Sequence, residues 1–455
     1  MTESATSLPR QAGQTLAAIS RRAFLKGTAA GVAYSVAVPW SASWAHGGVS
    51  GLVRHYDAAV ANAHAQVALR LIATTPGFTP PVASRVLGYF GVALYESLVP
   101  GMVGYRSLHA LLPGFPNTPT APRSSMHWPT VANYALGTIL RGLFPADAPM
   151  LGTVGTLMEG MDREFSIPRP IRIRSVDRGI AIANIVHEWA TTDGGHDGHR
   201  RNFPAEYIPV VGPGLWEPTP PAFQLIPLQP HWGNNREFAD KGCVVPPPPE
   251  FSVDPASEFF ASASEVYDTS LSLTPEQAAI ARFWADDPGT ITPPGHSISM
   301  LRQVLAAEDA SLERAAEAYL RVGCAIADAF IQCWRTKFIW NLLRPITFIR
   351  SNFDPGWSSL VTTPPFPEYS SGHSTQSGAW AEVMTSLFGD GFEFTDHTHD
   401  DAGLAPRAFT SFRHAADEAA VSRLYGGIHY RFGNENGLAA GACLGREAAE
   451  LLLRA

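Results

Sequence analysis

The sequence predicts an all-α protein of packed helical bundles, and three observations carry that reading. Apolar residues recur at three- and four-residue spacing through most of the 455 residues, the period of a helix with one buried face. No segment shows the sustained alternation of a half-buried strand. The chain is 45% hydrophobic and only 16% charged, enough apolar surface for a sizeable core and far from the composition of a disordered chain. That length makes one large domain or two ordinary ones. A net charge of −8 argues against a nucleic-acid partner, which selects a basic surface.

Residues 1–45 read as a targeting segment and not as fold. Ser20-Arg21-Arg22-Ala23-Phe24-Leu25-Lys26 resembles a twin-arginine export signal, an apolar run from Gly27 to Val38 follows, and Ser43-Trp44-Ala45 offers small residues for cleavage. The run falls short of the roughly 20 residues that span a bilayer, which disfavours an uncleaved anchor. No other segment approaches a transmembrane span, so none is expected in the mature chain. Export by the twin-arginine machinery to the periplasm or beyond is the expectation.

The spacing then predicts helices over Val53–Ala73, Ala83–Val99, Thr130–Leu143 and Val176–Thr191, forming an N-terminal half at residues 46–203. Residues 204–256 interrupt the pattern with 13 prolines, among which stand Trp216, Phe223 and Trp232. A free tether carries fewer aromatics, so this is an ordered connection that wraps the core. The C-terminal half, residues 257–455, contains predicted helices at Pro275–Ala285, Ala315–Leu343, His373–Phe388, Arg407–Tyr425 and Gly437–Leu453. Thr274-Pro275 with Glu276 is a helix-start signal. Cys243, Cys324, Cys333 and Cys443 are too few for a disulfide-built scaffold, though one or two pairs can form after export. Cys324 and Cys333 lie about 13 Å apart along one predicted helix and cannot pair with each other.

The chemistry concentrates in the C-terminal half. Lys337 stands seven residues before Arg344-Pro345, Ser371-Gly372-His373 follows, and Ser422-Arg423 precedes His429 by six positions from the arginine. Three cations, a hydroxyl, a glycine amide and two imidazoles suit a compact tetrahedral oxyanion. Lysine is rare here: Lys26, Lys241 and Lys337 are the whole set, against 30 arginines. Asp193-Gly-Gly-His196-Asp197-Gly-His199 invites a metal reading but lacks ligand spacing, and a polar turn explains it better. His187-Glu188 is no zincin motif, because Thr191 stands where the second His belongs.

The ordered triple of Lys, six residues, Arg-Pro; Ser-Gly-His; and Ser-Arg, five residues, His resembles the vanadium-dependent haloperoxidases and the phosphatidic acid phosphatase type 2 superfamily that contains them. The likeness is densest from Thr274 to Trp380 and thinner in the N-terminal half. One departure is Ser370, where the family usually has Pro before Ser-Gly-His. The resemblance implies helical bundles, two of four helices each, and vanadate as cofactor, with phosphate able to occupy the same place. It implies His429 as the metal ligand, with Lys337, Arg344, Ser371, Gly372 and Arg423 holding the oxygens. His373 becomes the acid–base residue, and Lys337 polarises bound peroxide. Asp287 is expected beside Arg423, and Trp334 and Phe366 on the halide side, although a surface Asp and ordinary core aromatics are equally natural readings.

Hydrogen peroxide, a halide and a small organic acceptor are the implied partners, and a hypohalous-acid equivalent the product. The alternative is a secreted acid phosphatase in which His429 forms a phosphohistidine and His373 protonates the leaving alkoxide. A non-catalytic anion-storage protein is a third reading. Solubility, the long N-terminal half, Phe366 and Trp284-Ala285-Asp286-Asp287 favour the peroxidase.

Overall fold

The computed structural model describes residues 50–239 and 242–454, so the targeting segment lies outside the described residues. The regular structure there is thirteen α-helices, seven three-residue 3-10 turns and one two-stranded sheet. In chain order the helices are α1 Ala59–Thr74, α2 Pro80–Leu98, α3 Trp128–Leu143, α4 Leu151–Glu164, α5 Arg169–Ala190, α6 Glu258–Leu271 and α7 Pro275–Phe283. They continue with α8 Thr292–Ala307, α9 Leu312–Trp340, α10 Pro345–Asn352, α11 Gly372–Phe388, α12 Phe412–Tyr425 and α13 Arg431–Ala449. Strands β1 Phe394–Asp396 and β2 Arg407–Phe409 pair antiparallel, Thr395 opposite Ala408.

Most helices stand where the periodicity puts them, and the exceptions have local causes. The predicted Arg407–Tyr425 helix loses its first residues to β2, because Ser411 caps the backbone N–H of His414 and starts α12 at Phe412. Helices α4, α6, α8 and α10 were not expected. Glycines at 152, 155 and 160 break the apolar stripe of α4. Helix α8 opens Thr-Pro-Pro-Gly-His, which reads as a loop, yet it is buried from Thr292 to Arg302. Among the described residues one helix, Pro80–Gly101, is long and apolar enough by length and composition to cross a membrane. It is wholly buried, as a helix enclosed on all sides by protein must be.

Helix α9 is the spine. It packs on α2 toward the N-terminal half and on α11 and α13 toward the C-terminal half. Both of the most intimate crossings bring backbones together through reciprocal glycines. A side chain on Gly91 of α2 would strike the Tyr319 carbonyl on α9, and one on Gly323 of α9 would strike that of Leu87. Gly441 of α13 and Thr375 of α11, with Gly378 and Leu438, repeat the arrangement. The core is continuous across the proline-rich connection: one apolar cluster includes Leu71, Val86, Ile139, Leu228, Leu301, Ile326 and Trp380. The bundles therefore share a helix and a core.

The connection is ordered, as its aromatics suggest. Asp328 of α9 accepts the backbone N–H groups of Phe238 and Ala239, both at 2.7 Å, and the Trp334 indole donates to the Leu228 carbonyl at 3.1 Å. A Cys243–Cys443 disulfide fastens the connection to α13, while Cys324 and Cys333 are buried thiols. Asp193 confirms the turn reading of its cluster: buried, it accepts from Arg85 Nε at 2.6 Å and the Tyr89 hydroxyl at 2.9 Å.

The crossing of α11 and α13 predicts a pair of opposite outcomes. Gly441→Ala should cost about 1–3 kcal/mol through overpacking. Gly160→Ala, in open space on α4, should be neutral or stabilising by up to about 1 kcal/mol. Urea unfolding of both variants checks this; equal effects would mean the crossing is not close.

Candidate active site

The candidate residues arrive from five helix ends, each set by local signals. Lys337 lies in the last turn of α9, which Asn341 terminates in the left-handed region at φ 46°. Arg344 is the N-cap of α10, with Pro345 at its first position. Ser371 caps α11, its Oγ accepting the Ser374 N–H at 3.4 Å and the Ser374 hydroxyl at 2.9 Å. Arg423 sits in the last turn of α12, and a turn through Gly427, φ 76°, delivers His429 just before α13. Helix ends with cations at two C-termini and an amide at one N-terminus bring positive potential to one point.

Arg344 organises the centre. Its Nε donates to the Phe366 carbonyl at 2.8 Å and its Nη1 to Ile428 O at 2.9 Å, with Nη1 also 3.1 Å from His429 Nε2. The Trp284 carbonyl accepts from both Arg423 Nη1 and the His373 ring, which sets those two side by side. What remains unpartnered among the described residues is a set of buried guanidinium donors, Arg344 Nη2 and Arg423 Nε and Nη2, and one ring nitrogen, His373 Nε2. Burying such groups unpaired costs about 1–3 kcal/mol each, more when charged. They suit the oxygens of a small anion, and the imidazole nitrogens suit its central atom and its proton.

Lys337 and Asp287 stand apart from the other candidates. Lys337 was expected to donate to the anion, but its ammonium is spent on the carbonyls of Pro367, Glu368 and Ser370 at 2.9, 2.8 and 2.6 Å. An ammonium has three donors, so Lys337 offers charge and loop support in this arrangement, not a hydrogen bond. Asp287 forms no ion pair with Arg423: it lies within electrostatic reach, half-buried, as does its neighbour Asp286, which is fully buried. Ser371 keeps its hydroxyl proton while capping α11, and Gly372 opens the helix with its amide. Trp334 and Phe366 are both buried and both border the site, their ring centroids 5.0 Å apart. The Phe366 centroid lies 5.0 Å from Lys337 Nζ and 4.8 Å from Arg344 Cζ.

Burial dominates the electrostatics. It drives Lys337 down to about 7, reinforced by Arg344, and lowers both Arg344 and Arg423 to about 10. His429 falls well below its ordinary value through burial and then Arg344 and Lys337; His373 falls likewise through burial and Arg423. Both shifts favour the neutral imidazole.

Two groups went unnoticed in the sequence. Glu368, fully buried, accepts from His429 Nδ1 at 2.7 Å, and burial raises it to about 7 against the pull of Lys337 and Arg344. Its only sequence signal is an acid inside the apolar run Pro364–Tyr369. His296 lies between Asp286 and Asp396 at 3.0 and 2.7 Å and stacks on Trp284, centroids 4.7 Å apart. Asp286, His296 and His399 could by proximity hold a cation. Both His296 nitrogens already face carboxylates, so the cluster closes as an ion-pair chain.

A cavity of about 590 Å3 opens onto Gly372, His373, Arg423 and His429. Phe203, Phe330, Trp334 and Phe366 line it with Thr219, Pro221 and Pro288. The site is an anion cradle at the floor of an apolar chamber.

A bacterial vanadium-dependent iodoperoxidase structure superposes with a TM-score of 0.80 at 32% identity, covering 90% of this chain and 98% of that one. The chain belongs to the vanadium-dependent haloperoxidase family. The profile of the VCPO second helical-bundle domain matches residues 351–455 of this haloperoxidase-family chain. Vanadium chloroperoxidase of Curvularia inaequalis is 24% identical over 221 residues, and the match spans 36% of that protein's length. A holo bacterial vanadium-dependent chloroperoxidase shares the fold, with a TM-score of 0.65 at 18% identity over 82% of this chain and 92% of the other.

The His296 chain predicts a pH dependence of stability. Burial alone would lower His296, but Asp286 and Asp396 outweigh it and hold the ring at about 10, above its ordinary 6.5. The folded protein therefore keeps a proton that the unfolded chain releases. This stabilisation is complete below 6.5 and is lost as pH rises through about 10. Thermal unfolding midpoints should fall across that window, and His296→Gln should be less stable at neutral pH with a flatter slope. An equal slope in both proteins would remove His296 as the cause.

Proposed function

We propose that the protein is a vanadate-dependent haloperoxidase that oxidises halide with hydrogen peroxide and halogenates a small organic acceptor. The observation that carries this reading is the set of buried donors without acceptors among the described residues, Arg344 Nη2, Arg423 Nε and Nη2, around the unpartnered Nε2 of His373 and the lone-pair Nε2 of His429, which accepts from Arg344. Vanadate matches that set: a compact oxyanion whose oxygens take the guanidinium forks and whose metal takes an imidazole nitrogen. When bound, vanadate supplies a Lewis-acid centre at which peroxide becomes electrophilic toward halide.

The residues divide the remaining work. His429 would ligate vanadate through Nε2. Arg344, Arg423, Ser371 and the Gly372 amide would hold its oxygens, and Lys337 would add positive potential from behind the loop. Overall, one peroxide, one halide ion and one proton give hypohalous acid and water. The O–O bond breaks, one oxygen goes to the halide and the other leaves as water. His373, neutral and with Nε2 facing the cavity, takes a proton from entering peroxide and returns it to the departing oxygen. Iodide, the most easily dehydrated common halide, suits the apolar approach past Trp334 and Phe366, and the iodoperoxidase likeness supports it.

A halide and a peroxide need little of the 590 Å3, and pockets of that size and apolarity hold small organic molecules. An uncharged, electron-rich aromatic is the acceptor we propose. The twin-arginine-like N-terminus supports export to the periplasm or beyond, where a cradle that assembles only in the folded protein would arrive complete.

Acid phosphatase chemistry is the second reading, favoured by the tautomer of His429: its Nε2 accepts from Arg344 and is a competent nucleophile. Triiodide formation from iodide and peroxide, with and without orthovanadate, beside p-nitrophenyl phosphate hydrolysis by vanadate-free protein, separates the two. Vanadate-dependent iodide oxidation inhibited by phosphate is expected. Phosphatase turnover with no peroxidase activity would sink the proposal.

Variants sharpen the assignment of roles. Arg344→Ala should weaken vanadate and phosphate alike, by about tenfold or more, since either anion uses its fork. Lys337→Ala should lower peroxidase turnover more than vanadate occupancy. Occupancy by equilibrium dialysis, read beside turnover, would expose the reverse order if Lys337 were instead an anion donor.

A further inference from the structure

We propose that Glu368 is the positioning residue for His429, fixing the tautomer and orientation that present Nε2 to vanadate and raising the electron density on that nitrogen. This rests on the haloperoxidase reading above. The geometry decides the tautomer without reference to any proton position. Arg344 Nη1, 3.1 Å from His429 Nε2, is a guanidinium nitrogen and can only donate. Nε2 must therefore carry the lone pair and Nδ1 the hydrogen. The acceptor for that hydrogen is Glu368 Oε1 at 2.7 Å.

Three further observations show a built position. The same Oε1 accepts the Tyr430 N–H at 3.1 Å, so one carboxylate oxygen holds His429 and the start of α13 together. Gly433 leaves the space that the carboxylate fills; a side chain there would collide with it. Behind Glu368, its own backbone is clamped at both polar groups, N–H to the Leu342 carbonyl at 2.9 Å and C=O to Lys337 Nζ at 2.8 Å. Lys337 thus reaches the metal ligand by holding the loop that carries Glu368, which gives its occupied ammonium a purpose.

A carboxylate behind a ligating imidazole orients the ring and raises its basicity, and removing such a partner typically costs about 10–100-fold in metal affinity. The same negative charge opposes any anion that binds through hydrogen bonds alone. Vanadate bonds to His429, whereas inorganic phosphate at rest does not. The two anions should therefore respond differently to loss of the charge, and a residue that merely stabilised the fold would affect both in the same direction.

The experiment compares orthovanadate and inorganic phosphate binding to vanadate-free wild-type, Glu368→Gln and Glu368→Ala proteins by titration calorimetry. It is accompanied by 15N shifts of the His429 ring and by thermal unfolding. We expect vanadate to weaken about tenfold or more in both variants, with phosphate within about threefold of wild type or tighter. Wild-type His429 should show a protonated Nδ1 and a bare Nε2. Unchanged vanadate affinity, equal loss of both anions, or a wild-type proton on Nε2 would overturn the assignment. A wild-type protein that binds phosphate but takes up no vanadate would instead overturn the haloperoxidase reading. The nitrogen shifts would then still decide whether Glu368 sets the His429 tautomer. Should Glu368→Ala fail to fold, Glu368→Gln, close in shape, decides the matter.

Discussion

Three permanent or potential cations, Lys337, Arg344 and Arg423, lie in the interior with relative exposures of 0%, and the surrounding structure is arranged around meeting that cost. Removing a charge from water is expensive, and nearby opposite charge or hydrogen bonds must offset it. For Lys337 the offset is three loop carbonyls; for Arg344, the carbonyls of Phe366 and Ile428; for Arg423, that of Trp284. Each of these carbonyls belongs to a non-helical segment whose path the cation thereby fixes. The loops of the site are shaped by the cations as much as the cations are held by the loops. Among the described residues Glu368 hydrogen-bonds to the centre at His429, while Asp286 and Asp287 act on Arg423 without a direct ion pair. These carboxylates leave three buried cations with guanidinium donors free for a bound anion.

This arrangement also separates two demands that conflict in water. An anion cradle must be polar, while a chamber for an organic acceptor must be apolar. Helix ends deliver the polar groups from beneath, and the aromatic and proline-rich walls supplied by the connection and the α10–α11 loop rise above them. Phe366 belongs to both, its carbonyl fixing Arg344 and its ring facing the chamber. A change at that position would alter anion affinity and acceptor preference together.

Much of this was legible in the sequence, for specific reasons. Spacing within each motif reflects a helix turn or a capping loop, so Lys337 with Arg344, Ser371 with His373, and Arg423 with His429 could be read locally. The partners that complete them could not. Glu368 reaches His429 across 61 residues, and His296 reaches Asp396 across 100, with no periodicity linking them. Helix α8 was hidden because its composition suits a loop and only burial makes it a helix. For Lys337 a sequence reveals a cation but not the three carbonyls that its ammonium meets. The periodicity locates α2, but tyrosines, an arginine and a glutamate mask its membrane-like length in a segment that the fold encloses.

The Cys243–Cys443 bond joins residues 200 apart, and every group of the cradle, from Lys337 to His429, lies between them. The active half of the molecule is thus a covalently closed ring. A protease that cuts one exposed loop, such as that between β1 and β2, opens the ring without releasing a fragment. The five segments that meet at the anion remain tethered and can re-engage. Separation would require a second cut within the ring or a reductant. Wherever proteases are common and reductants scarce, the topology confers durability that the packing alone does not.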